Sequence, residues 1–135
     1  MAPKEIKTRQ EDRGAAVDYL KKAKDSHSQM QISLASANWN AAAVLAIQCA
    51  ISSADALCVF EKGVRSISGD HFDVCEMISS LGFDGAQDKA KTLRKIIAKK
   101  NMVQYERRNV FETEAGDMVK LAARFYEWAQ TKIRP

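Results

Sequence analysis

Proline is almost absent from this chain, which limits the folds open to it. The two prolines are Pro3 and Pro135, so residues 4–134 contain none, and only six residues are glycine. Sheet-rich domains place glycine and proline in their many tight turns. A chain of 135 residues with so few turn residues is therefore expected to form one domain built from a few long helices.

Apolar residues recur at alternating spacings of three and four, the pattern of amphipathic helices. We predict long helices over about residues 13–37, 39–60, 87–101 and 113–133, and a short helix after Asp70. The expected fold class is all-α, an antiparallel up-and-down four-helix bundle with one short extra helix. This domain covers residues 13–134, residues 1–12 form a flexible lead-in, and no segment is predicted as a strand.

Several residues mark the predicted helix ends. Asn38 and Thr113 are suited to N-capping, and Gly63 to ending the second helix. The second helix contains residues 41–60, a stretch long enough to span a membrane. Asp55 within it is costly in lipid, so we interpret the stretch as a core helix and expect no membrane partner.

Positive charge is concentrated in the C-terminal part of the sequence. Residues 1–85 hold nine basic and eleven acidic side chains, whereas residues 86–135 hold twelve and six. Residues 89–108 contain eight basic side chains and one acidic one, Glu106. Local positive charge attracts phosphate groups. Alternatively, Lys91, Lys95 and Lys99 form only a solvated helix face.

Two clusters are candidates for binding chemistry. The first joins Arg65 to Asp70 and His71 across one loop and one helix start, where an anion can bind. In the second, the stretch YERRN at residues 105–109, arginines can hold phosphate and Tyr105 can stack on a base. The predicted binding residues for nucleotide or RNA are Arg65, His71, Lys95, Lys99, Tyr105, Arg107, Arg108 and Asn109.

Both clusters also have a purely architectural interpretation. In the first, the loop glycines, a capping Asp70 and a salt bridge only shape the chain. In the second, Tyr105 packs against the bundle end and the arginines pair with Glu106 and Glu112. Sequence reasoning alone leaves these alternatives open.

Most enzyme classes recognised by motif have no support in this sequence. It contains no GxGxxG, GxxxxGK[ST], HExxH or GxSxG pattern. Three cysteines without a CxxC pair, together with two histidines, predict structural thiols rather than a metal site. We therefore predict no metal and no cofactor. The polar N-terminus is not a signal peptide pattern, so a cytoplasmic location is expected.

The order of several short motifs resembles HEPN domains. Asp18-Tyr19-Leu20 lies on the first helix, and Trp39-Asn40-Ala41-Ala42 opens a second helix that ends with Ala54-Asp55-Ala56-Leu57. A loop with Gly63, Arg65 and His71 follows, and residues 105–108 precede an amphipathic helix. The resemblance covers residues 13–134. It implies an all-helical homodimer of the toxin–antitoxin or nucleotidyltransferase-linked kind, with an antitoxin or nucleotidyltransferase as a possible protein partner.

The resemblance also bears on catalysis. RNase members of the family carry an arginine, a polar residue and then a histidine, and Arg108-Asn109 matches the first two positions. The positions where the histidine falls hold Thr113, Glu114 and Ala115. The expected function is therefore a non-catalytic nucleotide- or RNA-binding module. The alternative is a divergent metal-independent RNase that uses Arg108 and Asn109.

The second helix gives an independent reason to expect a homodimer. It is apolar on nearly every side, and a 135-residue bundle has few neighbours with which to cover such a helix.

Overall fold

The described part of the chain folds as six α-helices with one small sheet. A computed structural model describes residues 5–133. The helices are α1 Ala16–Ala35, α2 Trp39–Lys62, α3 Asp73–Ser79, α4 Ala86–Ile97, α5 Lys100–Tyr105 and α6 Glu112–Lys132. A 3-10 turn over Arg13–Ala15 precedes α1, and the strands β1 Thr8–Gln10 and β2 Val64–Ser66 form the sheet. The mostly helical architecture agrees with the predicted all-α class.

Helix α2 lies at the centre of the fold. It packs mainly against α1 and α6, and also contacts α3, α4, α5 and β2. Its alanines, among them Ala43, Ala46 and Ala50, are fully buried and let the neighbouring helices approach closely. The faces of α2 that suggested a homodimer are thus largely covered within one chain. The apolar surface of α2 therefore no longer supports the homodimer, which remains a prediction from the family resemblance.

The same burial accounts for the long apolar stretch of α2. By length and composition α2 could cross a membrane, but 67% of its most apolar stretch is buried inside the domain. This environment is that of a core helix in a soluble protein.

The small sheet corrects the prediction that no strand is present. Gly63 ends α2 with a left-handed φ of 66°, as the sequence predicts, and turns the chain into β2. Strand β1 pairs with β2 antiparallel, with Arg9 opposite Arg65, and the Glu11 N–H donates to the Gly63 carbonyl at 2.9 Å. All three residues of β1 are exposed, so no apolar alternation marked this strand in the predicted lead-in.

The predicted fourth helix is divided into α4 and α5. Ile97 and Met102 are both buried, but five residues place them about 140° apart around a continuous helix. A turn at Ala98 and Lys99 interrupts the helix, and Ile97 and Met102 on either side of it are buried. This break also places the end of α5 next to the loop before α3.

The start of α6 differs from the prediction at Thr113. The N-cap is Phe111, and the helix begins at Glu112. A carboxylate oxygen of Glu114 accepts the Phe111 N–H at 2.9 Å, which satisfies a backbone donor that a threonine cap would have left unpaired.

We expect Leu57→Asp to unfold the domain. Leu57 is fully buried in α2, and an unpaired buried charge costs several kcal/mol out of a total stability of about 5–15 kcal/mol. Gln48→Asp, at an exposed position on the same helix, is the control and should melt near the wild-type temperature. Thermal melts followed by circular dichroism measure both variants. A Leu57→Asp variant that melts cooperatively at the wild-type temperature would contradict the assignment of this core.

Candidate functional site

Two exposed aromatic side chains share one surface cavity, which we call the aromatic pocket. The pocket has a volume of about 310 Å³ and is lined by Gly69, Asp70, His71, Phe72, Ile97, Lys100, Asn101 and Tyr105. Tyr105 is 74% exposed and Phe72 is 41% exposed. Large aromatic side chains are usually covered in a folded domain, so their exposure around a cavity marks a candidate binding surface.

One wall of the aromatic pocket is the loop between β2 and α3. The Ser68 hydroxyl accepts the Asp70 N–H at 3.1 Å and donates to the buried Asp73 carboxylate at 2.6 Å. The Asp70 carboxylate accepts the Phe72 N–H at 2.9 Å. These local bonds hold the backbone of the loop and present His71 and Phe72 at its surface.

The opposite wall is α5. The Lys100 ammonium donates to the Gln104 side chain at 2.7 Å and lies 5.4 Å from the centre of the Tyr105 ring. This distance is within the range of a cation–π contact. The pocket thus combines an aromatic face with a positive charge beside it.

His71 connects the aromatic pocket to a second cavity of about 310 Å³, which we call the Arg65 cavity. It is lined by Ile51, Asp55, Arg65, Ser66, Ile67, Ser68, His71 and Val74. Partial burial lowers the pKa of His71, and the Lys100 charge lowers it further, while Asp70 acts in the opposite direction. The imidazole is therefore neutral near pH 7 and can both donate and accept a hydrogen bond.

Arg65 is held by an ion pair with a buried carboxylate. Its Nε donates to the Asp55 carboxylate at 3.2 Å, and its guanidinium carbon lies 5.3 Å from the centre of the Tyr19 ring. The Tyr19 hydroxyl donates to Glu11 at 2.8 Å, and Arg9 pairs with the same carboxylate at 2.8 Å. Burial raises the pKa of Asp55, and Arg65 opposes that shift. The Arg65–Asp55 pair is thus a salt bridge of the kind that the architectural interpretation of the first cluster predicts.

Arg108 is also held by a carboxylate. Its two terminal nitrogens donate to the two Glu114 oxygens at 2.8 and 2.7 Å, and its guanidinium carbon lies 4.7 Å from the Phe111 ring centre. The partner is therefore Glu114, not the Glu106 or Glu112 of the architectural interpretation. Hydrogen bonds from Arg108 and from the Phe111 N–H lower the pKa of Glu114 to about 2.

Asn109 connects the start of α6 to the start of α2. Its side-chain oxygen accepts from the Asn40 amide at 3.0 Å, while the Asn40 oxygen accepts the Val110 N–H at 2.8 Å. Both residues border a cavity of about 410 Å³ next to Trp39. The contacts seen for Asn109 are architectural.

The remaining predicted cations are accessible. The side chains of Lys95, Lys99 and Arg107 are exposed, and none of them makes a hydrogen bond or an ion pair with a residue between positions 5 and 133. The charge of Lys99 nevertheless contributes to lowering the pKa of Glu114. The neighbouring Arg94, by contrast, pairs with Glu76 at 2.9 Å. The positive charge that can meet a ligand is thus smaller than the count of basic residues in the sequence.

The structure brings together some of the predicted binding residues and separates others. His71 and Tyr105 line the aromatic pocket, and Arg65 borders the adjoining cavity. Arg108 does not line the aromatic pocket or the Arg65 cavity. Phe72 and Lys100, which also line the aromatic pocket, are not among the binding residues predicted from the sequence. The position of Phe72, directly after the predicted binding residue His71, was the signal that could have identified it.

No family model, curated protein or solved structure matches this chain. Within residues 5–133 no group of three or more His, Cys, Asp or Glu side chains is arranged to hold a metal ion.

We expect Arg65→Ala to destabilise the domain by about 3 kcal/mol, since it leaves a buried carboxylate without its partner. The folded-state pKa of Asp55 is already raised and rises further in the variant. The loss relative to wild type is therefore largest near pH 7 and shrinks as the pH falls through that pKa, because protonation removes the buried charge.

Urea unfolding at several pH values measures this effect. Arg9→Ala, at the exposed end of the same set of contacts, is the control and should cost less than about 1 kcal/mol. A loss for Arg65→Ala that is small or independent of pH would show that Asp55 does not depend on this partner.

We expect Arg108→Ala to raise the Glu114 pKa from about 2 toward the ordinary 4.5, without reaching it, since the Phe111 N–H still donates. NMR titration of the glutamate carboxyl carbons measures the shift. Arg107→Ala is the matched control and should leave the Glu114 pKa unchanged. An unchanged value in Arg108→Ala would mean that the bidentate pair is absent in solution.

Proposed function

We propose that this domain binds RNA or nucleotides without cleaving them. The observation that carries the proposal is the aromatic pocket, where Tyr105 and Phe72 are exposed beside Lys100. Aromatic faces next to positive charge are the common elements of single-strand and nucleotide sites, since bases stack on the rings and phosphates pair with the cations.

The charge distribution supports the same proposal. Lys95, Lys99 and Arg107 belong to the basic segment of residues 89–108, which includes one wall of the pocket, and their side chains make no ion pair within residues 5–133. When exposed cations of this kind neutralise phosphates, the counterions around the nucleic acid are released, and this release favours binding at low salt. In this proposal Arg65, Arg108 and Asn109 hold the surrounding backbone in place, and the exposed cations meet the phosphates.

We also propose that the fold is a HEPN-like antiparallel four-helix bundle formed by α1, α2, α4 and α6. The mutual contacts of these helices support it. On that basis the protein would act in the cytoplasm as a homodimer, in partnership with an antitoxin or nucleotidyltransferase. Thr113, Glu114 and Ala115 at the family's histidine positions favour binding over RNase chemistry.

We expect RNA affinity to fall steeply between about 50 and 200 mM salt. Lys95→Ala/Lys99→Ala should lower the slope of log affinity against log salt by roughly 0.7 for each cation removed. Lys21→Ala/Lys24→Ala, on α1 in the acidic half of the chain, removes the same charge and should leave the slope unchanged. Fluorescence anisotropy with labelled RNA, and competition by mononucleotides, measures these values. Absence of salt-dependent binding to either ligand class would refute the proposal.

A further inference from the structure

We infer that the aromatic pocket takes one unpaired base, which makes single-stranded RNA, and not a duplex, the ligand of this domain. The inference rests on the proposed function and specifies its substrate class. It follows from the shape of the pocket, the elements that supply its walls, and the position of the charge around it.

The two aromatic side chains come from separate parts of the chain and border the same cavity. Phe72 belongs to the loop before α3, and Tyr105 is the last residue of α5. Ile97, which is 3% exposed, forms an apolar part of the lining. A volume of about 310 Å³ is at the lower end of the 300–1,000 Å³ typical of small-molecule sites, which is room enough for one ring system.

A base inside a duplex cannot use such a pocket. Its two faces are covered by the neighbouring base pairs, and its Watson–Crick edge is occupied by its partner. Duplex RNA is instead recognised along its minor groove, by contacts to 2′-hydroxyls and phosphates over many base pairs. An unpaired base exposes both a face that can stack on Tyr105 and an edge that can form hydrogen bonds.

The polar groups around the pocket suit the rest of a nucleotide. The Lys100 ammonium is 5.4 Å from the Tyr105 ring centre, so a phosphate attached to a stacked base lies well within the ~10 Å range of its charge at 0.1 M salt. The neutral His71 imidazole and the Asn101 amide also line the pocket and can pair with donors and acceptors on a base edge. The Asp70 carboxylate also lines the pocket, where it accepts the Phe72 N–H at 2.9 Å. The stacking ring, the adjacent cation and the neutral polar groups match the parts of a single nucleotide.

Tyr105 offers a clean test because it is 74% exposed, so its removal should leave the fold intact. A labelled RNA strand of about 12 nucleotides, within the 4–16 that single-strand sites cover, is compared with the same strand annealed to its complement. We expect the single strand to bind wild type more tightly. Tyr105→Ala should weaken that binding by about 5- to 150-fold, the range measured for loss of base stacking, while Tyr105→Phe keeps the ring and the affinity.

Phe111→Ala is the matched control. Phe111 is an aromatic residue that is 62% exposed and lies outside the aromatic pocket, so its loss should leave affinity unchanged. Strands that carry 2-aminopurine give a second readout. Stacking quenches the fluorescence of this base, so wild type and Tyr105→Phe should quench it and Tyr105→Ala should not.

The outcomes separate this inference from the proposed function. Equal or tighter binding of the duplex, or full affinity in Tyr105→Ala, overturns the inference, while salt-dependent binding of RNA leaves the proposed function standing. If wild type binds neither RNA nor nucleotides, the proposed function fails and the inference fails with it.

Discussion

The ion pair between Asp55 and Arg65 is the interaction on which the surroundings of the site depend. Asp55 lies in the middle of the core helix and is 5% exposed, a position that a carboxylate tolerates only with a partner. Arg65 supplies that partner from β2, directly after α2 ends. The need to neutralise one buried charge therefore fixes β2 against the helix and sets the path of the chain beyond it.

That path brings the walls of the aromatic pocket together. From β2 the chain enters the loop that carries His71 and Phe72, while the break between α4 and α5 brings Lys100 and Tyr105 to the facing side. Segments about thirty residues apart in sequence thus meet in one pocket. The Tyr19 ring beside Arg65 and the Glu11 carboxylate extend the same contacts to the N-terminal segment, which pairs with β2.

The basic side chains of this domain have two different roles. Arg65, Arg94 and Arg108 each hold a carboxylate, and the planar guanidinium suits such fixed geometry. The exposed side chains of Lys95 and Lys99 make no such ion pair within residues 5–133. The count of basic residues in the sequence therefore overstates the charge available to a ligand, because it cannot distinguish these two uses.

The sequence by itself determined the long helices α1, α2 and α6, because the apolar spacing of three and four is a local property that tertiary contacts only reinforce. It also determined that α2 is a core helix ended by Gly63. The alanine content of a segment and a glycine suited to a left-handed turn are both visible in the local sequence. Only the tertiary structure decided the rest. The partner of Arg108, the pairing of the fully exposed β1 with β2, and the exposure of Phe72 each depend on residues or surfaces that local periodicity does not specify. The aromatic pocket belongs to this second group, because its walls meet only when the buried charge of Asp55 and the burial of both Ile97 and Met102 have set the course of the chain.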